Sequence, residues 1–236
     1  MGDLGTVALV AWLAGLGAIL GGVVAWLEGS AESEGKRELI HGVVAFGGGI
    51  LLAAVAFALL PMGVEVLSPS ALSLTFLGGG LLVCALDARL ARTGGGEGLF
   101  LALVLDFVPE AVALGAVFQA SRRTGLMLAL FIGLQNLPEG FSAHREHVQA
   151  GRSPKSSLGM LLAVSLLGPL AAGAGYLALG ERPVWTAGIM SAAAGGILYL
   201  VFQDVAPNAS MRRHWAPALG AVLGFATGML TQVLCG

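Results

Sequence analysis

Two short stretches of this chain place oxygen-bearing side chains at helical spacing inside otherwise apolar sequence. In "DFVPEA" Asp106 and Glu110 stand four residues apart, and in "LQNLPEG" Gln135 and Glu139 do the same, with Asn136 beside Gln135. Four residues is just over one helical turn, so each pair shares a helix face with its members about 6 Å apart along the axis. Acids and amides so placed are ligands for a cation. Carboxylates brought together without a partner repel one another and must take up protons or a positive ion. No lysine or arginine lies within these stretches to neutralise them, which makes a bound divalent metal ion the economical answer. Pro109 and Pro138 each precede the glutamate by one residue. Each removes an amide donor and frees a carbonyl one turn back, near Leu105 and Leu134, offering backbone oxygens beside the acids.

The elements that must carry these residues belong to a membrane. Of 236 residues 56% are hydrophobic and only 11% charged, with a mean hydropathy of +0.86, too little charge to cover the surface of a soluble domain. The 37 glycines follow no fixed period and sit inside apolar runs, as in a bundle whose helix backbones approach closely. Cys84 and Cys235 belong to no ligand-like spacing and read as packing residues. A net charge of −2 without a basic block gives no basis for nucleic-acid binding.

A helix needs about 20 apolar residues to cross the hydrocarbon. Eight segments qualify, at 5–27, 41–61, 70–90, 98–119, 124–147, 157–180, 184–204 and 216–235, within a single transmembrane domain over 1–236. The first opens on "MGDLGTVALV" with no basic leader, so it is expected to stay in place as a span. Connections after the odd-numbered spans hold Lys36, Arg37, Arg89, Arg92, Arg145, Arg152, Lys155, Arg212 and Arg213, against Arg122, Arg123 and Arg182 on the other side. The positive-inside bias then makes the first side cytoplasmic and puts both termini outside. The lean connections suit a bacterial inner membrane. In the hydrocarbon each charged group costs on the order of 3 kcal/mol, so the acids of the fourth and fifth spans should face the bundle interior and act there.

An internal echo runs through the chain. "GGILLAAVAFALLP", ending at Pro61, is matched by "GGILYLVFQDVAP", ending at Pro207, with one residue of slippage, and the two Pro-Glu stretches repeat each other. Each pair of spans points in opposite directions, the pattern of inverted repeats whose binding site lies at their interface.

At these residues the sequence resembles the ZIP (Zrt-, Irt-like) family of metal-ion transporters, whose fourth and fifth spans carry motifs of the type HNxPEG. The matching stretches here are "DFVPEAVALG" and "LQNLPEGFSA", with "AFGGGILLAAVAFALLP", "SLLGPLAAGAGYLAL" and "AAAGGILYLVFQDVAP" resembling the second, sixth and seventh spans. The resemblance implies an all-α integral membrane bundle of eight helices. It also implies secondary or passive transport of Zn²⁺ or a similar divalent cation through a site between the fourth and fifth spans. Glu110 and Glu139 match the family's glutamates, Asn136 its amide or acidic neighbour, and Pro109 and Pro138 its prolines. Asp106 and Gln135 stand where the motifs usually have His, Phe107 where the first has Asn, and Gly168 where the sixth span often has Glu before Pro169. A second metal would lose two ligands, so one ion is expected, held by Asp106, Glu110, Gln135, Asn136 and Glu139. An all-oxygen site suits manganese or iron better than zinc.

No resident cofactor is expected beyond the transported ion. The partners implied are the divalent cation and the lipid bilayer, with a homodimer as one assembly open to the bundle. His144 and His147, with Glu146, lie at the inner end of the fifth span, where a histidine caps carbonyls or faces headgroups more often than it passes metal on. His41 and His214 read as interfacial, and Asp204, with Gln203 near the end of the seventh span, either lines the pathway or caps and pairs with Arg212 or Arg213, the structural role being preferred. "TGGGEG" lacks the Lys-Ser/Thr of a phosphate-binding loop, so transport would not be driven by nucleotide hydrolysis. Two rival readings remain: a ZIP-fold protein that binds or senses an ion without moving it, and an intramembrane enzyme using paired acids. The second lacks any serine or histidine placed to act with them.

Overall fold

A computed structural model describes residues 2–29, 33–93, 98–179, 181–211 and 214–235. These form eight helical rods. The first is α1 (Gly2–Glu28). The second runs from α2 (Glu34–Ala54) through a π turn at Val55–Leu59 into α3 (Leu60–Val66). Then come α4 (Pro69–Thr93), α5 (Gly98–Ala120), α6 (Arg122–Gln149) and α7 (Pro154–Leu179). The seventh rod runs from α8 (Pro183–Leu200) through a π turn at Val201–Val205 into α9 (Ala206–Ala209), and α10 (Ala216–Cys235) is the eighth. Among the described residues, six stretches are long and apolar enough to cross a membrane: Asp3–Glu28, Glu34–Val66, Pro69–Arg89, Pro154–Leu179, Pro183–Ala209 and Ala216–Leu234. The two rods outside that group, α5 and α6, carry the acids and amides, and at 23 and 28 residues both are long enough to span.

Local chemistry sets the helix ends. The Ser33 hydroxyl accepts from the Lys36 amide at the start of α2, and Ser121 does the same for Thr124 at the start of α6. After α6 the chain turns at Gly151, whose φ of +81° suits a residue without a Cβ.

Glycine sets the spacing between rods. α6 packs against α1, α5 and α2, while α7 packs on α1 and α5, α10 on α2, and α4 on α8. At each of four seams a glycine lies directly on the opposing backbone, and a methyl group there would strike a carbonyl oxygen. Gly21 faces Leu137 between α1 and α6, Gly224 faces Phe46 between α10 and α2, Gly115 faces Ala172 between α5 and α7, and Gly195 faces Phe76 between α8 and α4. Such close approach is how helices associate where lipid removes any hydrophobic drive between them. The outward faces are leucine-rich, with Leu27, Leu74, Leu81, Leu177 and Leu234 all more than two-thirds exposed, as lipid contact requires. Cys84 is a free, partly buried thiol.

Candidate metal centre

Both motif helices are kept intact through their prolines: α5 runs unbroken past Pro109 and α6 past Pro138. The two helices pack side by side, antiparallel, and their polar faces meet as a ladder with two rungs. In one rung Gln135 Nε2 donates to Glu110 Oε2 at 2.5 Å, both residues being buried (0% and 1% exposed). In the other the carboxyl groups of Asp106 and Glu139 meet in a hydrogen bond, with Asp106 buried. The rungs are one helical turn apart, about 6 Å, and all three acids lie within electrostatic reach of one another.

This ladder is open on the acceptor side. Glu110 Oε1, Gln135 Oε1 and Glu139 Oε2 are buried and accept no hydrogen bond among the described residues. Buried acceptors in that state cost on the order of 1–3 kcal/mol each, more when charged. The guanidinium nearest in sequence to the ladder, Arg145 on α6, is taken by Glu28 at the end of α1 at 3.1 Å. Three acceptors left bare beside two rungs of acid fit a cation and would not fit a ligand that brings only acceptors. The donors present are carboxylate and amide oxygens, a hard set. Among the described residues, no three His, Cys, Asp or Glu side chains already converge as a cage for one ion. The turn of helix between the rungs holds Glu110 about 6 Å along the axis from the Asp106–Glu139 pair.

Asn136 is turned elsewhere. One residue along a helix is a rotation of about 100°, and its Nδ2 donates to Ala14 O of α1 at 3.2 Å. Of the five expected ligands the structure therefore gathers Asp106, Glu110, Gln135 and Glu139 on the α5–α6 seam and places Asn136 on the α1 seam. Phe107, fully buried, fills the space between α5 and α7, where a methyl group on Gly168 would lie 2.7 Å from its Cζ.

A cavity of about 340 Å³ leads to the ladder from one end of the bundle. Asp106 and Glu139 line it, with Gly47, Gly48 and Leu51 of α2 and Asp204 and Val205 of the second π turn, while its rim is formed by the exposed Arg37, Glu146, Gln149 and Asn208. Glu110 and Gln135 do not reach it. Past them, toward the opposite end, α5 and α6 are closed by buried Leu114, Val117, Phe118, Leu128, Phe131 and Ile132. The ladder is thus reached through its Asp106–Glu139 rung from the end where α6 finishes.

His144 and His147 are buried (2% and 3% exposed) in the packed face of α6, so neither faces headgroups, and neither lines the cavity. His41 does line it, and its Nδ1 bonds Asn208 O at 2.6 Å. Asp204 is a wall residue of the cavity, and its expected partners Arg212 and Arg213 lie outside the described residues. His214 sits between Glu34 (3.4 Å) and Glu38 (3.5 Å) of α2. Tyr199 of α8 donates to Asp87 of α4 at 2.8 Å.

The sequence model of the ZIP zinc transporter family matches residues 95–235, which include both Pro-Glu motifs and run from the start of α5 to the end of α10. None of the curated proteins matches the chain.

Proposed function

The chain belongs to the ZIP zinc transporter family, whose members move divalent metal ions, and from that premise we propose that its α5–α6 ladder is the station at which this protein holds its cation. The observation that carries the reading is the set of bare buried acceptors, Glu110 Oε1, Gln135 Oε1 and Glu139 Oε2, beside carboxyl groups in contact. A dication entering from the cavity meets Asp106 and Glu139 first. Held there, it displaces whatever proton the two carboxyl groups share and draws on the free oxygen of Glu110 from the next rung. Gln135 then has two tasks: its amide nitrogen steadies one oxygen of Glu110, and its amide oxygen is a neutral ligand. A change of side-chain torsion closes the line of donors into a shell, and departure of the ion returns them to the paired rungs.

The station takes one ion. The ring of Phe107 lies on Gly168, so the space beside the ladder toward α7 is filled by an aromatic ring. With oxygen donors alone, manganese or iron is favoured over zinc relative to a site built on imidazole. The basic residues flanking the cavity end of the bundle make that end cytoplasmic, with both termini outside.

Uptake of Mn²⁺, Fe²⁺ and Zn²⁺ into proteoliposomes tests this directly. Glu139→Gln and Glu110→Gln should each lower metal flux at least tenfold while the protein still inserts and runs as wild type on size exclusion. Wild-type flux in either variant would remove the ladder from the transport path.

A further inference from the structure

The second and seventh rods share an irregularity that the ladder does not use. In each, a five-residue π turn ends two residues before a proline: Val55–Leu59 before Pro61, and Val201–Val205 before Pro207. The last N–H before the proline reaches five residues back in both, from Leu60 to Val55 O and from Ala206 to Val201 O. The next carbonyl along, of Ala56 or Phe202, then loses its usual donor to that bond, and the alternative donor is the proline, which has no N–H. Each rod is therefore already missing a rung of its own hydrogen-bond ladder at this point. Bending there breaks no further bond, whereas bending a regular helix does.

The two π turns also pack crosswise. The first and the short helix α3 beyond it lie against α8, and the second and the short helix α9 beyond it lie against α2. α3 rests on α8 through Gly63, where a methyl group would strike the Ser191 hydroxyl. α9 is fastened to α2 by the bond from His41 to Asn208 O at 2.6 Å. The ends served are opposite. Asp204, Val205 and Asn208 wall the cavity, whereas α3 lies at the other end of the bundle, since α2 enters near the rim at Arg37 and runs away from it.

We propose that the two π turns are a matched pair of hinges, one swinging α9 at the rim of the cavity and the other swinging α3 at the far end. Exchanging the five-back for four-back bonds turns a π turn into α-helix, and because this winds one residue differently it rotates the helix beyond the turn by about 100°. At the rim this moves Asp204 and Asn208 toward or away from the opening. The use of such hinges, to close the two ends in alternation, rests on the transport reading above; their existence does not.

The test is a pair of distances by electron-spin resonance in lipid nanodiscs, with Cys84 and Cys235 replaced by serine. Labels at Gly35→Cys and Ser210→Cys read the rim, and labels at Val64→Cys and Val184→Cys read the far end; all four positions are exposed. Each pair should show two distance populations in the otherwise wild-type chain. Pro207→Ala returns an N–H to the seventh rod, so the rim pair should lose one population while the far pair keeps both, and Pro61→Ala should do the reverse. One population at both pairs before any proline is changed, or two surviving at the rim in Pro207→Ala, would overturn the proposal, and the first outcome needs no proline variant to fold. Calorimetry with Mn²⁺ on the same samples separates the two readings. Absence of binding would remove the metal station and leave the hinge distances to stand or fall alone.

Discussion

The ring of Phe107 occupies the place that any side chain at Gly168 would need: a methyl group there would lie 2.7 Å from Phe107 Cζ and 3.0 Å from Ala11 O. Phe107 on α5 and Gly168 on α7 thus make a packed apolar contact, and that contact bears on how many ions the bundle holds.

Wild-type protein should bind one equivalent of Mn²⁺ by calorimetry. Gly168→Glu alone should fold poorly, because overpacking of this kind costs about 1–3 kcal/mol and adds a buried charge. Phe107→Asn combined with Gly168→Glu should restore folding and add a second equivalent. A second equivalent in the wild-type chain would contradict the one-ion reading.

Ion preference should follow Gln135. Gln135→His replaces an amide oxygen with an imidazole nitrogen and should raise the ratio of zinc to manganese affinity at least tenfold. Gln135→Leu takes the donor from Glu110 Oε2 and should weaken binding of both metals, since a buried carboxylate then loses its steadying bond. Competition binding against a fluorescent chelator measures both ratios.

Metal should compete with protons at the ladder. The carboxyl groups of Asp106 and Glu139 in contact share a hydrogen bond, which one proton supplies and which a dication replaces, so affinity should fall as pH falls. Calorimetry in buffers of different ionisation enthalpy should report proton release on binding. Heats identical across buffers would show that no proton leaves.

Close backbone approach should govern stability. Gly21→Val and Gly140→Val push a side chain into the facing backbone, at Leu137 O and Ala18 O, and should each lower stability by roughly 3 kcal/mol or more, at or above the usual overpacking range. Gly5→Ala, where nothing lies within 4 Å of the added methyl, should be neutral or slightly stabilising. Thermal unfolding in detergent orders the three.

Much of this was written along the chain itself. Runs of apolar residues mark the rods because crossing the bilayer demands length and hydropathy, both local properties. The spacings 106 to 110 and 135 to 139 fix which acids and amides share a face, because helical periodicity is local too. The echo around Pro61 and Pro207 relates the second rod to the seventh, but not the π turns before both prolines, which depend on how each helix settles around a missing N–H.

What the chain alone could not decide is which face meets which neighbour. Rotation of α6 about its axis sends Gln135 to Glu110 and Asn136 to Ala14, and it buries His144 and His147 in the bundle, away from headgroups. The same packing opens the Asp106–Glu139 rung to the cavity and seals the Glu110–Gln135 rung from it. These outcomes come from glycine contacts between helices far apart in sequence, as at Gly21 and Leu137. Periodicity sets the angle between two side chains on one helix, and only the docking of helices sets the angle between one helix and the next.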